Sequence, residues 1–374
     1  MPRNVCYLTT VHDARDVRVL YREAASVLKQ GYRVRLIAQN ASDIDVGRIE
    51  GAALRPPRNR LGRMLCTGAR ALVLAMREKA DIYHLHDPEL IPLGLLLRLM
   101  HRRVIYDVHE DLPKQILAKP WIPAFLRPLV SWVVDRIETI AARAFNGIVA
   151  ATAPVAVRFP PAKTVVIRNY PVLSMFETAE IGRGADAGRP PVLIYVGSIS
   201  EDRGAVDMVR ALEHLDPSVQ ARLEFVGGWT PPALRRRVEG MPCGSMVTSR
   251  GWMPPVEVYR RLQEAAIGLV CLRPIPRYVE SLPVKLFEYM AAGLPVIASD
   301  FPHWREIVEG NACGLTVDPL DPKAIAKAIE HLIRNPKEAQ RMGQNGRRAV
   351  EQRYNWEQES RRLITLYNSL FGGR

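Results

Sequence analysis

The chain of 374 residues is short of the features that mark secreted, metal-bound or membrane-spanning proteins. Its five cysteines, Cys6, Cys66, Cys243, Cys271 and Cys313, are scattered without a Cys-x-x-Cys pair. That spacing argues against a disulfide framework or a zinc site and for reduced thiols. No apolar run approaches the ~20 residues that cross a bilayer. The longest, Leu90 to Met100, is interrupted by Arg98. The opening Met-Pro-Arg-Asn leads straight into a strand pattern without a signal-peptide signature, so the expectation is a cytoplasmic protein. Low-complexity tracts are missing as well. So are helix-turn-helix, zinc-finger and RNP-like patterns, which argues against reading the positive charge as nucleic-acid binding.

What is present is a globular composition, 48% hydrophobic and 24% charged, in a chain long enough for two domains. The net charge of +13 is unevenly placed. Residues 1–170 hold 26 Lys/Arg against 15 Asp/Glu, a net of +11, while the remaining 26 against 24 give +2. One basic cluster is Arg55, Arg58, Arg60, Arg63 and Arg70, ahead of the apolar Ala71–Met76. A second spans Leu112 to Val134, where Lys114, Lys119 and Arg127 sit among Trp121, Phe125 and Trp132. Basic segments interleaved with aromatics suit an anionic membrane surface, or they simply solvate a helix face.

Strand and helix patterns alternate twice along the chain. The first set has strands at Val5–Thr9, Arg33–Ala38, Ile82–Leu85, Val104–Val108, Gly147–Ala151 and Thr164–Ile167, with Asp16 able to cap the first helix. Residues 177–191 turn to Gly, Ala, Pro and charge. The second set has strands at Val192–Val196, Leu223–Val226, Met246–Ser249, Ile267–Cys271 and Pro295–Ala298. Such alternation predicts an α/β fold of two doubly wound, parallel-sheet, Rossmann-like domains. The expected division is 1–172, a linker at 173–191, a second domain at 192–353 and a terminal helix at 354–374. Open parallel sheets bind ligands beyond the C-terminal ends of their strands, so the loops there are the candidate sites.

The densest signal is the run Glu280-Ser-Leu-Pro-Val-Lys-Leu-Phe-Glu288, which continues into Tyr-Met-Ala-Ala-Gly-Leu-Pro-Val-Ile-Ala-Ser299. Pro283 fits the first position of a helix and Gly293 fits its stop after Ala292. The opening amides of Val284, Lys285 and Leu286 then have no intrahelical partner, and Lys285 adds a full charge, which together suit an anion. On a single helix the two acids would stand about 80° apart, so Glu280 is better placed in the preceding loop, on a different part of one ligand. Two other loops fit the same ligand. After the strand at 192–196, Gly197-Ser-Ile-Ser-Glu-Asp-Arg203-Gly204 pairs a glycine turn with a cation that can clamp a diphosphate. Gly227-Gly228 ends the next strand, either as a close approach for a nucleotide or as plain turn punctuation.

The Glu280–Ser299 stretch resembles the signature of the retaining glycosyltransferases of family 4, in the form found in bacterial polysaccharide-assembly enzymes. The resemblance implies the GT-B architecture, with two Rossmann-like domains facing a cleft and a C-terminal helix crossing back to the first. It also implies that Glu280 contacts hydroxyls of a donor sugar and Glu288 the ribose of a nucleotide. Ser281, Leu282 and Val284 line the donor alongside Gly197 and Gly227, while Arg203 and Lys285 meet the diphosphate. Many members have Gly-Phe-Gly after the first Glu, where this chain has Ser281-Leu282-Pro283, and a second cation in the position of Ser198. In the first domain Val104-Ile-Tyr-Asp107-Val-His109 is a strand running into titratable groups, and His109 resembles the family's cleft histidine at the donor sugar. His86-Asp87-Pro88-Glu89 either supports that site or ends a strand. The turn His12-Asp-Ala-Arg-Asp16-Val-Arg18 stands where relatives have a glycine-rich acceptor loop, so His12, Asp16 and Arg18 are the acceptor-side candidates.

The expected function is transfer of a sugar from a nucleotide-diphosphate sugar to a glycan or polyprenyl-diphosphate-linked acceptor, with retention and without a metal or other cofactor. Exopolysaccharide, capsule or O-antigen assembly at the inner face of the cytoplasmic membrane is the expected setting. A nucleotide-sugar epimerase of the same architecture would act on donor alone. A non-enzymatic polyanion-binding protein would explain the charge but not the paired acids.

Overall fold

The computed structural model of the chain describes residues 3–44, 46–55, 66–119, 121–176 and 190–372. These form two compact units, one of residues 1–169 with 356–374 and the other of residues 170–355. Most of the Gly- and Pro-rich 177–191 segment and Arg58, Arg60 and Arg63 of the first basic cluster lie outside the described residues. Tyr170 and Phe176, ahead of that segment, are buried in the core of the second unit.

Among the described residues the first unit has seven strands: β1 (Asn4–Asp13), β2 (Arg33–Gln39), β3 (Glu50–Leu54), β4 (Ile82–Leu85), β5 (Arg103–Val108), β6 (Gly147–Ala150) and β7 (Thr164–Val166). Their order is β3-β2-β1-β4-β5-β6-β7, and every pairing is parallel. Runs such as Tyr7-Leu8 and Val104-Ile-Tyr106 are fully buried, as expected of strands covered on both faces. β3 lacks a strand signal in the sequence because Glu-Gly-Ala-Ala-Leu offers no β-branched or aromatic residue.

The first helix starts at Asp16, whose Oδ1 accepts from the N–H groups of Arg18 (2.9 Å) and Val19 (3.0 Å). It is wound as a π-helix over Val17–Ala24 before continuing as an α-helix over Ala25–Lys29. That wider winding brings residues five apart onto one face, and Arg18 Nε lies 2.9 Å from Glu23 Oε1.

The last helix, Trp356–Gly372, belongs to this unit although it follows the second in sequence. Trp356 Nε1 donates to Ser26 Oγ (2.8 Å), and Tyr367 Oη donates to Tyr7 Oη (2.9 Å) while lying 2.7 Å from His84 Nδ1. Tyr354 and Asn355 stay with the second unit, so the crossing begins at Trp356.

Among the described residues the second unit has six strands: β8 (Val192–Val196), β9 (Arg222–Val226), β10 (Val247–Gly251), β11 (Ile267–Val270), β12 (Val296–Ser299) and β13 (Gly314–Val317). The order is β10-β9-β8-β11-β12-β13, again all parallel. Its core takes in Leu193, Tyr195, Phe225, Leu269, Phe287 and Trp304, each worth about 1.5–3 kcal/mol on burial. Tyr289, fully buried on the helix Val284–Ala291, accepts from the N–H of Val196 (2.9 Å) and so ties that helix to the end of β8.

Candidate active site

Each sheet reverses its strand order at one place, between β1 and β4 in the first unit and between β8 and β11 in the second. Doubly wound sheets open a ligand crevice beyond the strand ends at such a point. The chemistry singled out in the sequence gathers at both.

In the second unit Gly197 follows β8 with φ +118°, and its N–H donates to the Val226 carbonyl (2.8 Å). A Cβ at this position would stand 3.5 Å from Lys285 Nζ and 3.7 Å from Arg203 Nη1, so the two cations converge on the same turn. Gly227, with φ +143°, packs so tightly on this turn that a Cβ would lie 2.0 Å from the Gly197 carbonyl oxygen. Stacking of two glycine turns accounts for Gly227.

Arg203 ends a short 3-10 turn, Glu201–Arg203. Its Nε donates to Tyr278 Oη (3.3 Å), and among the described residues no ion pair ties it to an acid. The neighbouring cations differ: Arg273 is bidentate on Asp207 (2.7 and 3.0 Å) and Arg277 reaches Asp202 (3.2 Å). Lys285 is half-buried, with Nζ 5.1 Å above the Tyr195 ring. Burial, with Arg203 alongside, pushes its amine down to about 7, against the opposing pull of Glu288. Lys285 and Glu288 are three residues apart on one helix and share a face.

Glu280 stands in the turn after the short helix Pro276–Val279, ahead of Val284–Ala291, as the spacing argument requires. Two expectations at this helix start are corrected. Pro283 is the capping residue, with extended backbone, and Val284 is the first helical residue. The Leu286 amide is not free, because it donates to the Pro283 carbonyl (3.1 Å), which leaves Val284 and Lys285 at the helix mouth. Ser281 is used locally. Its Oγ donates to the Tyr278 carbonyl (3.0 Å) and its carbonyl accepts from Trp304 Nε1 (2.6 Å). Leu282 packs half-buried against the core.

In the first unit His109 follows β5 and is 22% exposed. It stacks on His12 (ring centroids 5.1 Å apart, 23° between planes), and its Nε2 lies 3.4 Å from His86 Nδ1. Burial outweighs the nearby Asp107 carboxylate and pushes the His109 imidazole down to about 4, so it is neutral near pH 7. His12 Nδ1 lies 3.2 Å from Asp16 Oδ2, a contact that raises the imidazole above its ordinary value. Asp87 shapes the turn between them. Its Oδ2 accepts from Thr9 Oγ1 (2.8 Å) and from the N–H groups of Thr10 (2.6 Å) and Val11 (3.2 Å).

Beneath this rim lies a buried charge network. Arg18 is 4% exposed and grips Asp107 with Nε (2.8 Å) and Nη2 (2.9 Å), while Nη1 donates to the Ile167 carbonyl (3.1 Å) and Asn169 Oδ1 (2.7 Å). Burial and the neighbouring Asp107 raise the Glu23 carboxyl well above its usual range. For Asp107 burial acts the same way, but Arg18 and the surrounding imidazoles overcome it and hold the group well below. Glu23, His84, His86 and Asp107 come within 4.8 Å of one another, a donor set a metal accepts. Arg18 pairs with both acids of this set, Nε lying 2.8 Å from Asp107 Oδ2 and 2.9 Å from Glu23 Oε1, while the Nε2 atoms of His84 and His86 have no hydrogen-bond partner among the described residues.

The structure thus brings His12, Asp16 and His109 together at a partly open rim and sinks Arg18 beneath it. Glu23, Tyr278 and Tyr195 are the participants that the sequence reading missed. Glu23 is five residues from Arg18, outside the α-helical spacing that such reading searches, and the tyrosines resemble core aromatics.

Two family models match consecutive parts of the chain: "Glycosyltransferase Family 4" over residues 17–169 and "Glycosyl transferases group 1" over residues 178–349. The chain belongs to glycosyltransferase family 4. Among curated relatives of this family 4 chain, the alpha-maltose-1-phosphate synthase of Mycolicibacterium smegmatis is 27% identical over 229 residues, 56% of this chain and 58% of that protein. A Salmonella typhimurium protein named as a colanic acid biosynthesis glycosyltransferase, WcaL, is 25% identical over 216 residues, 56% of this chain and 52% of that one. The family 4 chain therefore matches about half the length of these relatives. Solved structures align throughout. The sucrose-phosphate synthase from Thermosynechococcus elongatus superposes with a TM-score of 0.77 at 21% identity, covering 99% of both chains. HepE of Anabaena, solved with UDP, gives 0.68 at 14% identity, covering 99% of this chain and 100% of that one. The shared fold is GT-B.

Proposed function

We propose that this chain transfers a sugar from a nucleotide-diphosphate sugar to a glycan or lipid-diphosphate-linked acceptor, with retention of anomeric configuration, in the assembly of an extracellular polysaccharide. The observation that carries the reading is the convergence of Arg203 and Lys285 on the Gly197 turn at the mouth of the Val284–Ala291 helix, with Glu288 on the same face. Two cations held this close repel one another despite the pull of Glu288 on Lys285, an electrostatic cost that a diphosphate lowers.

In this reading Glu288 holds the ribose and Glu280 the sugar hydroxyls. As the bond between the anomeric carbon and the phosphate oxygen breaks, its electron pair stays on the leaving diphosphate. Arg203, Lys285 and the Val284 and Lys285 amides stabilise that charge more strongly during reaction than before it. The acceptor hydroxyl bonds to the anomeric carbon on the same face and passes its proton to the departing phosphate oxygen. These fixed charges do the work for which other sites use a metal, so no metal is required. His109, neutral at pH 7, is assigned to the donor sugar, while His12 and Asp16 are assigned to the acceptor. A lipid-linked acceptor places the reaction at the inner face of the cytoplasmic membrane.

The test is a thermal-shift screen against UDP-, GDP-, ADP- and TDP-sugars, followed by a transfer assay with the best ligand. One nucleotide-sugar should stabilise the protein, and Glu288→Ala should abolish that shift. No stabilisation by any of the four, or an undiminished shift in Glu288→Ala, would refute the assignment. Isomerised donor without acceptor would favour the epimerase.

A further inference from the structure

The helix Arg127–Ala144 is amphipathic in the wrong sense for a protein surface. Leu129, Trp132, Val133, Ile137 and Ile140 recur at helical spacing, and all five are exposed, Trp132 to 58% and Ile140 to 60%. The helix has two acids: Glu138 is turned inward, while Asp135 is 31% exposed at the edge of the face, where its Oδ2 also accepts from Arg136 Nη2 (3.1 Å). Glu138 is buried and accepts from Tyr106 Oη (2.9 Å) and Arg158 Nη2 (2.7 Å), and Asp135 Oδ1 takes a second bond from the same nitrogen (3.0 Å). The cations are left outside. Arg136 and Arg143 are exposed on the apolar face, and no acid occurs between Leu112 and Val134, where Lys114, Lys119 and Arg127 lie. Just ahead of the helix, Trp121 and Phe125 are 57% and 80% exposed. A contiguous apolar face of this kind on a soluble domain marks an interaction surface.

We infer that this face lies on an anionic lipid bilayer, with the helix in the plane of the interface. Charge complementarity selects that occupant. A two-fold contact with a second copy would set like cations against each other, whereas acidic headgroups answer them while the apolar side chains and tryptophans enter the headgroup boundary. No described helix is long and apolar enough to cross a membrane, consistent with a helix of about 27 Å lying along the surface. Sequence pattern alone centred the membrane segment on 112–134, and the structure moves the centre to the 129–140 face. The inference rests on the proposed function for the membrane's part in the reaction but not for the contact itself, so it is tested without donor or acceptor.

The experiment is co-sedimentation of the full chain with sucrose-loaded vesicles of phosphatidylcholine alone or with 30% phosphatidylglycerol. Binding should require the anionic lipid and should be released by raised salt. Arg136→Ala with Arg143→Ala should weaken it roughly twenty-five-fold, at about fivefold per cation. Leu129→Glu with Trp132→Glu should abolish it while keeping the parent's melting temperature and circular-dichroism spectrum, which shows that the fold is intact. Absence of binding to the anionic vesicles at low salt would overturn the proposal. So would unaltered binding of the glutamate variant, or a dimer in sedimentation velocity that the glutamate pair dissolves. Transfer to a soluble acceptor, measured separately, distinguishes failure of this contact from failure of the transferase reading.

Discussion

The strand ends of the two sheets both gather charge, but they use it in opposite ways. In the first unit Arg18 is closed on Asp107 and Glu23, with Asn169 and a backbone carbonyl taking its remaining donors. The network meets the rim where His86 Nδ1 lies 3.4 Å from His109 Nε2. In the second unit Arg203 leans on a phenol, Lys285 on an aromatic ring, and their charges reinforce one another around Gly197. The first arrangement closes its guanidinium on its own acids, although both Glu23 oxygens and the Nε2 atoms of His84 and His86 have no hydrogen-bond partner among the described residues, whereas the second crowds two cations around one turn. A buried ion network reads as scaffold, whereas two cations crowded around one turn read as a binding site.

The comparison can be broken most forcefully at Arg18. Arg18→Met strips the counterion from a buried carboxylate, and removal of one partner from such a pair costs about 3–5 kcal/mol. Chemical denaturation should show that loss. A variant as stable as the parent would mean that the first unit's network is not scaffold. The converse holds at Lys285. Lys285→Met removes a poorly solvated cation, so stability should hold or rise slightly. The transfer rate should fall by roughly 10²–10³, the magnitude typical of losing one preorganised charge at a developing anion. Steady-state kinetics beside the denaturation curve separates the two effects, and loss of stability with the rate intact would exchange the roles assigned to the two regions.

The sequence reading and the structure agree where local pattern dictates structure and part where spatial convergence does. Parallel strands buried on both faces are continuous apolar runs, so β2, β4, β5, β6, β7 and most of the second sheet were legible within a residue or two, while β1 runs four residues past its expected end at Thr9, to Asp13. β3 was not, because its glycine and alanines carry no strand preference, and the edge strand β13 was also missed. At the candidate site, the Glu280–Glu288 spacing foretold a loop acid ahead of a helix acid. It did not foretell that Pro283 caps the helix, because proline suits both the cap and the first turn. Arg18 shows the deeper limit. A lone arginine beside Asp16 reads as a rim residue, and only the π-winding that carries it onto Asp107 and Glu23 reveals a buried one.

The finest discrimination between the two regions is their response to pH. Lys285 titrates near 7 in the free protein because burial and Arg203 disfavour its charge. A bound diphosphate reverses that balance and raises its pKa, so binding above pH 7 must take up a proton. Affinity should therefore be flat below pH 7 and decline above it, by up to about tenfold per pH unit until the pKa of the complex is reached. A nucleotide-sugar is the right probe, because its diphosphate is esterified at both ends and has no ionisation of its own in this range. His109, already neutral from about pH 4 upward, contributes no slope there. Calorimetric titration between pH 6 and 9 should show the decline in the parent and lose it in Lys285→Met. A flat profile in the parent, or a slope that survives the substitution, would place the proton elsewhere and end the case for Lys285 as the anion-sensing cation.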